Sequence, residues 1–118
     1  MDRYALGVVG EQMAVEYLVK KGYEIIDRNI NYPNVGELDI IAKDGQTLVF
    51  VEVRTRADNS FGHPLETFTK VKQQKVVKAS RRYILENKPN CDAYRFDAVA
   101  IISEQIIHIP NAFLARWN

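Results

Sequence analysis

Two apolar, β-prone runs joined by a turn dipeptide dominate the middle of the chain: Gly36-Glu37-Leu38-Asp39-Ile40-Ile41-Ala42, then Asp44-Gly45, then Leu48-Val49-Phe50-Val51-Glu52-Val53-Arg54. Apolar runs flanking Asp-Gly are a strong short-range signal for a β-hairpin. Glu37, Asp39 and Glu52 interrupt the pattern where a buried strand carries apolar side chains. A carboxylate in the middle of a sheet is costly unless a cation or hydrogen bonds offset its burial. The hairpin therefore marks both the centre of the fold and the place where chemistry is expected.

Counting through the turn gives the expected geometry. With Asp44-Gly45 as a two-residue turn, Lys43 pairs with Gln46, Asp39 lies opposite Phe50, and Glu37 lies opposite Glu52. Side chains alternate along a strand, so Glu37, Asp39, Phe50, Glu52 and Arg54 share one face. Asp39 and Glu52 are then diagonal neighbours, roughly 7–8 Å apart at the backbone, a gap their side chains close. Two bare carboxylates about 4 Å apart repel by about 4 kcal/mol at an effective dielectric of about 20. Either one of them holds a proton or a cation lies between them. A one-residue bulge at the turn would flip the second strand and undo this arrangement.

The 118 residues are read as one domain, 1–118, long enough for a real core. Hydrophobic residues make up 47% and charged residues 26% of the chain, as expected of a globular protein. No apolar run approaches the roughly 20 residues that a membrane helix needs, and the N-terminus lacks the pattern of a secretory signal. The single cysteine, Cys91, cannot form an internal disulfide, which fits a cytoplasmic protein. Net charge is only +1, but the distribution is uneven: residues 54 to 88 hold nine basic residues against three acids, +6, and the remainder is −5. Such a local excess forms either a surface that attracts phosphates or a solvated lysine-rich helix face.

Helical spacing runs from about Leu6 to Lys21, stopped by Gly22, with Glu11 beside Gly7, Ala14 and Leu18 on the margin of the apolar stripe and Gly10 next to it. Glu11 points toward the body of the protein or bends out to solvent. Tyr23 to Ile30 reads as a first strand, and the hairpin supplies the second and third. Thr55 to Glu66 is a polar connection. A second helix is predicted from about Phe68 to Glu86, ended before Pro89, with Lys70, Lys72, Lys75, Lys78 and Arg82 at its start and outer side and Gln73 near the sheet. Tyr94 to Ile102 is a fourth strand and Gln105 to Ile109 a fifth, stopped by Pro110, with a short helical turn over residues 111 to 118 anchored by Phe113 and Trp117. The order α-β-β-β-α-β-β describes an α/β domain of two or three layers with a mixed sheet. Asp97 reads as a surface or helix-contacting acid, with a supporting role beside the site as the alternative, and His108 as an outward-facing strand residue.

This constellation suits phosphodiester hydrolysis. Asp39 and Glu52 can ligate Mg²⁺ or Mn²⁺, hard cations that prefer oxygen donors. Glu11 could complete the set, and Arg54 could hold the phosphate. The segments Gly10-Glu11, Gly22-Tyr23, Arg28-Asn29, 36–42, 49–54, Lys72-Gln73 and Arg95-Phe96-Asp97 resemble the YraN family of small bacterial proteins over nearly the whole chain. That family is in turn similar to the PD-(D/E)XK nuclease superfamily, especially the archaeal Holliday-junction resolvases.

The resemblance implies a restriction-endonuclease-like domain with a central mixed five-stranded sheet flanked by helices. It implies metal binding by Glu11, Asp39 and Glu52, and catalysis by Asp39, Glu52 and Arg54. Glu37 stands where the motif has its proline. Arg54 stands at the catalytic lysine position, and an arginine, always protonated, cannot serve as a general base but can clamp a phosphate. Arg54, Arg56, Lys70, Lys72, Gln73 and Lys75 are the expected nucleic-acid contacts. DNA, including branched DNA, is the expected partner, and two copies acting together would suit cleavage of both strands. The competing expectations are a DNA-binding module with a degenerate site, and a structural ion-pair network of the carboxylates with Arg54 and Arg56 serving a protein partner.

Overall fold

Helix α1 (Arg3–Lys20) starts one turn earlier than its apolar spacing predicts, because the Asp2 carboxylate caps it by accepting the Ala5 N–H at 2.7 Å. It ends at Lys21, followed by Gly22 at φ +94. The computed structural model describes residues 2–58, 60, 62, 63, 66 and 68–115. After α1 come β1 (Glu24–Tyr32), β2 (Gly36–Asp44), β3 (Thr47–Arg56), α2 (Lys70–Asn87), β4 (Ala93–Ile102) and β5 (Gln105–Phe113). The five strands form one sheet in the order β1-β2-β3-β4-β5. Only β3 and β4 are parallel, as they must be when a helix, α2, provides the crossover between them. The sheet is therefore mixed, and the architecture is compatible with a restriction-endonuclease-like fold.

Each helix covers one face. Ala14 and Leu18 of α1 pack on Ile40, Ala42, Val49, Val51, Val99 and Ile101. Val76, Ala79 and Tyr83 of α2 pack on Ile41, Leu48, Phe50, Phe96 and Ala98. Three layers result. Thr69 caps α2 by accepting the Lys72 N–H at 3.3 Å, and the helix ends at Lys88, in the left-handed region just before Pro89. Gly10 seats α1 directly on β3: a Cβ there would fall within 2.7 Å of the Thr55 Cγ2. Gly10→Ala is thus expected to cost about 1–3 kcal/mol through overpacking, measured as a lowered urea midpoint. An unchanged midpoint would mean that the helix is not held at this distance.

Three details differ from the pattern. The β2–β3 ladder pairs Asp44 with Thr47 and Ile40 with Val51, so the turn is Gly45-Gln46, with Gly45 at φ +60. That places glycine at the first turn position, where a two-residue hairpin needs positive φ. The slip moves each partner by two residues, which preserves side-chain parity. It also brings Asp39 to the level of Glu52, one step beyond the Ile40–Val51 pair, rather than opposite Phe50. The second difference is at β5, which runs through Pro110 to Phe113 instead of stopping. β5 is an edge strand with a register shift between Phe96 and Ala98 of its partner, a setting in which a proline costs no ladder hydrogen bond. The helical turn expected over 111–118 is therefore replaced by strand as far as Phe113, and Trp117 lies outside the described residues. Phe113 is a packing anchor, stacked on Phe96 with ring centroids 4.8 Å apart.

The third difference concerns Asp97 and His108. His108 does not face outward: its side chain is 2% exposed and its Nε2 lies 2.8 Å from the fully buried Asp97 carboxylate. Asp97 also accepts from Arg95 Nε at 2.8 Å and Nη2 at 3.0 Å and from the Asn111 N–H at 2.9 Å. Arg95 reaches on to Asp44 and the Tyr23 hydroxyl, and His108 Nδ1 meets the Tyr17 hydroxyl at 3.3 Å. Asp97 is neither a surface acid nor a neighbour of the hairpin carboxylates. With Val99 and Ile101 it alternates onto the α1 side of the sheet, tying α1, the hairpin turn, β4 and β5 together.

Candidate active site

Strict alternation breaks at Asp39. Leu38 and Ile41 both join the core beneath α2, whereas Ile40 and Ala42 join the core beneath α1. Across from Asp39 in the β1–β2 ladder stands Asn29, at φ +53, between the pairs Arg28–Ile40 and Ile30–Leu38. The irregularity frees the Asp39 side chain from a simple up-or-down position. Its carboxylate accepts the backbone N–H of Val53 on β3 at 2.8 Å.

Asp39 and Glu52 meet at a cleft of about 550 Å³ between the β1–β2 turn and α2, lined also by Tyr32, Glu37, Arg54, Lys72 and Lys75. One end is closed by backbone: a Cβ on Gly36 would lie 2.6 Å from the Lys75 carbonyl oxygen, so only glycine fits. Burial raises both carboxyls. At Asp39 the Val53 N–H and the Arg54 charge pull the other way, and the charge of Glu11 adds to the rise. At Glu52 the charge of Asp39 adds to burial, and the carboxyl stands well above the usual carboxylate range despite Arg54. Each carboxyl acts on the other as well as being buried, so either a proton or a cation relieves the repulsion between them.

Arg54 Nη1 bridges the Glu52 carboxylate at 3.1 Å and the Val53 carbonyl at 3.3 Å, and the guanidinium lies over the Phe68 ring at 5.4 Å. Stacking on an aromatic face fixes the plane of the cation beside the acids. Its Nε is buried without a partner among the described residues.

Of the residues expected to contact nucleic acid, Arg54, Lys72 and Lys75 line the cleft. Arg56, Lys70 and Gln73 do not: Arg56 donates to the Thr55 carbonyl at 2.8 Å, Gln73 donates to the Phe68 carbonyl at 3.1 Å, and Lys70 is an exposed residue at the start of α2. Glu11 is largely buried, with 15% of its side chain exposed, and its carboxylate sits 3.4 Å from Arg28. Among the described residues no three acidic, histidine or cysteine side chains form a metal-holding cluster. Glu11, Asp39 and Glu52 are thus a facing pair with a third acid nearby, held on an arginine. Sequence reasoning assigned no part to Arg28 or to Tyr32. The signal available for Arg28 was its basic charge one step before an asparagine, a residue that tolerates the left-handed region.

Oxygen-only donors that repel one another fit a hard divalent cation such as Mg²⁺ or Mn²⁺. Ionisable groups shifted by burial and by each other, in a cleft beside fixed cations, are also how functional sites are built.

Comparison with known proteins places the chain. A family model described as "Uncharacterised protein family UPF0102" matches residues 10–101. A UPF0102 protein of Chlorobium limicola is 48% identical over 106 residues, covering 87% of this chain and 79% of the relative. A UPF0102 protein of Thermodesulfovibrio yellowstonii is 44% identical over 113 residues, covering 96% and 99%, and one of Persephonella marina is 41% identical over 113 residues, covering 96% and 97%. The match takes in both strands of the hairpin, the two acids between them and the helix that walls their cleft, and the chain belongs to the UPF0102 family, the YraN family of its sequence motifs.

Proposed function

We propose that this protein is a cytoplasmic, Mg²⁺- or Mn²⁺-dependent endonuclease acting on DNA, branched DNA included. The observation that carries the reading is the Asp39–Glu52 pair, held together at the floor of a cleft whose walls carry Arg54, Lys72 and Lys75. A divalent ion, when bound, would supply Lewis acidity and neutralise charge developing on the phosphate. Asp39 and Glu52 would hold it, with Glu11 as a third donor. Arg54, kept in place by Phe68, would grip a non-bridging phosphate oxygen, and as a permanent cation it would not remove the proton of the attacking water. Lys72 and Lys75 would neutralise flanking phosphates.

A second reading, DNA binding without cleavage, is favoured by one contact: Arg54 is already spent on Glu52 at 3.1 Å. One assay separates the two. Purified protein with Mn²⁺ or Mg²⁺ is offered single-stranded, linear duplex and four-way junction DNA, with Asp39→Ala as control. Cleavage lost in the variant supports the nuclease. Salt-sensitive binding of DNA with no cleavage in either protein supports the binding module. The paired change Lys72→Ala/Lys75→Ala is expected to weaken DNA binding and flatten its salt dependence by a slope of roughly 1–2, read by fluorescence anisotropy across a salt series.

A further inference from the structure

Resting on the reading of this cleft as a DNA site, we infer that Tyr32 is a stacking platform for an unpaired base, so that the strand reaching Asp39 and Glu52 is single or splayed rather than paired. Size is the first ground. The cleft holds about 550 Å³, and Glu52 within it is buried. That is the range of pockets for small ligands, roughly 300–1,000 Å³, and it suits one nucleotide. A duplex interface instead spreads over about 1,000–2,500 Å² of protein surface. Where the reacting groups lie in a pocket, a nucleotide enters only from a single strand or after swinging out of its helix.

The two walls differ in chemistry. The α2 wall carries Lys72 and Lys75, about one turn apart, cations for neighbouring phosphates of one strand. The β1–β2 wall carries the half-buried Tyr32 and the exposed amides of Asn31 and Asn34. Among the described residues that line the cleft, Tyr32 alone is aromatic. A cationic side for the backbone and an aromatic side for the bases are the two parts of a single-strand groove. The ring is also held in advance. The Tyr32 carbonyl accepts the Val35 N–H at 2.9 Å across a turn with Pro33 and Asn34, at φ +65, in its middle. Gly36 seats that turn against the Lys75 carbonyl. The Arg82 guanidinium lies over the Tyr32 ring, 4.6 Å from its centroid, and is itself held by Glu86 at 2.9 Å. A ring fixed in this way loses little freedom when a base packs on it.

The test is DNA binding by the purified full chain in Ca²⁺, an oxygen-seeking cation that screens the acids. Fluorescence anisotropy compares a single-stranded oligonucleotide with a blunt duplex of the same length, and 2-aminopurine in the single strand reports stacking. Wild type is expected to prefer the single strand and to quench 2-aminopurine. Tyr32→Ala is expected to weaken single-strand binding by about 5–150-fold, the worth of one stacked base, and to leave duplex binding within about twofold. Quenching should disappear in Tyr32→Ala and persist in Tyr32→Phe, which keeps the ring. An equal loss on both DNAs, no loss on the single strand, or a wild-type preference for duplex would overturn the platform while leaving a DNA-binding cleft standing. Wild-type protein that binds neither DNA would overturn both. If Tyr32→Ala loses the native circular dichroism spectrum, Tyr32→Leu, which keeps apolar packing without a ring, takes its place and is read in the same way.

Discussion

Replacing Asp97 by alanine is expected to lower the melting temperature by roughly 10–25 °C, the largest effect of any single change on the stability of this protein. Asp97 has no exposed surface and accepts hydrogen bonds from Arg95, His108 and the Asn111 N–H. Removing it leaves the His108 Nε2 without its carboxylate partner and Arg95 with only Asp44 and the Tyr23 hydroxyl. Breaking a buried ion pair from one side costs about 3–5 kcal/mol, against a total stability of about 5–15 kcal/mol for a typical domain. A loss of that size corresponds to the stated fall in melting temperature, since about 1 kcal/mol moves a domain of this size by several degrees.

The pH dependence follows from the same contacts. Burial alone would raise the Asp97 carboxyl, but the hydrogen bonds from His108, Arg95 and Asn111 outweigh it, and the group titrates below its usual value. The unfolded chain, with an aspartate near about 3.9, then binds a proton before the folded one does. The stabilisation is complete above about pH 4 and is lost as the pH falls through the folded value. Calorimetric scans of wild type and Asp97→Ala should therefore converge below that pH. A constant gap between the two proteins down to pH 2 would remove the carboxylate charge from the explanation.

The second large effect lies at the other carboxylates and has opposite signs for activity and stability. Asp39→Ala is expected to reduce metal-dependent cleavage by more than about 100-fold, because even the outer partners of metal ligands are worth about 10–100-fold. Glu52→Gln should be as inactive, yet more stable than wild type at neutral pH, by a few degrees in melting temperature. Burial and the Asp39 charge raise the Glu52 carboxyl well above the ordinary range, so the folded state binds a proton more readily than the unfolded one. Ionising Glu52 destabilises the fold as the pH rises from about 4.3, the unfolded value, through the folded value. The amide avoids that loss, so its advantage should be greatest at high pH and vanish toward about pH 4. A variant less stable than wild type across the whole range would show that the Arg54–Glu52 pair outweighs the repulsion.

Much of this arrangement is written in the chain. The hairpin, both helices and the shared face of Phe50, Glu52 and Arg54 follow from periodicity, because a slip of two residues at the turn preserves which side each residue faces. The slip itself was hidden: Asp44-Gly45 and Gly45-Gln46 both offer a glycine to a tight turn, and only strand pairing chooses between them. Asp39 could be located but not aimed. Its direction depends on Asn29, ten residues earlier in the chain though across from it in the ladder, and on the Val53 N–H fourteen residues later.

His108 was illegible for a different reason. Strand alternation places it opposite Ile107 and Ile109, and since these are partly exposed at 38% and 39%, the histidine is the inward residue. The isoleucines misdirect, because apolar side chains at the rim of a sheet look like core. Only the presence of Asp97, eleven residues earlier on the neighbouring strand, tells that a polar ring can be satisfied inside.

The sheet has two open margins, β1 and β5, and each is broken at its middle. Asn29 interrupts β1 with a left-handed residue, and Pro110, followed by Asn111 at φ +54, interrupts β5. A straight margin would offer a row of unpaired amides to any other molecule in solution and invite fibrillar stacking. Kinks and a missing donor deny that template, so the irregularity that orients the site also helps keep concentrated solutions of this protein clear.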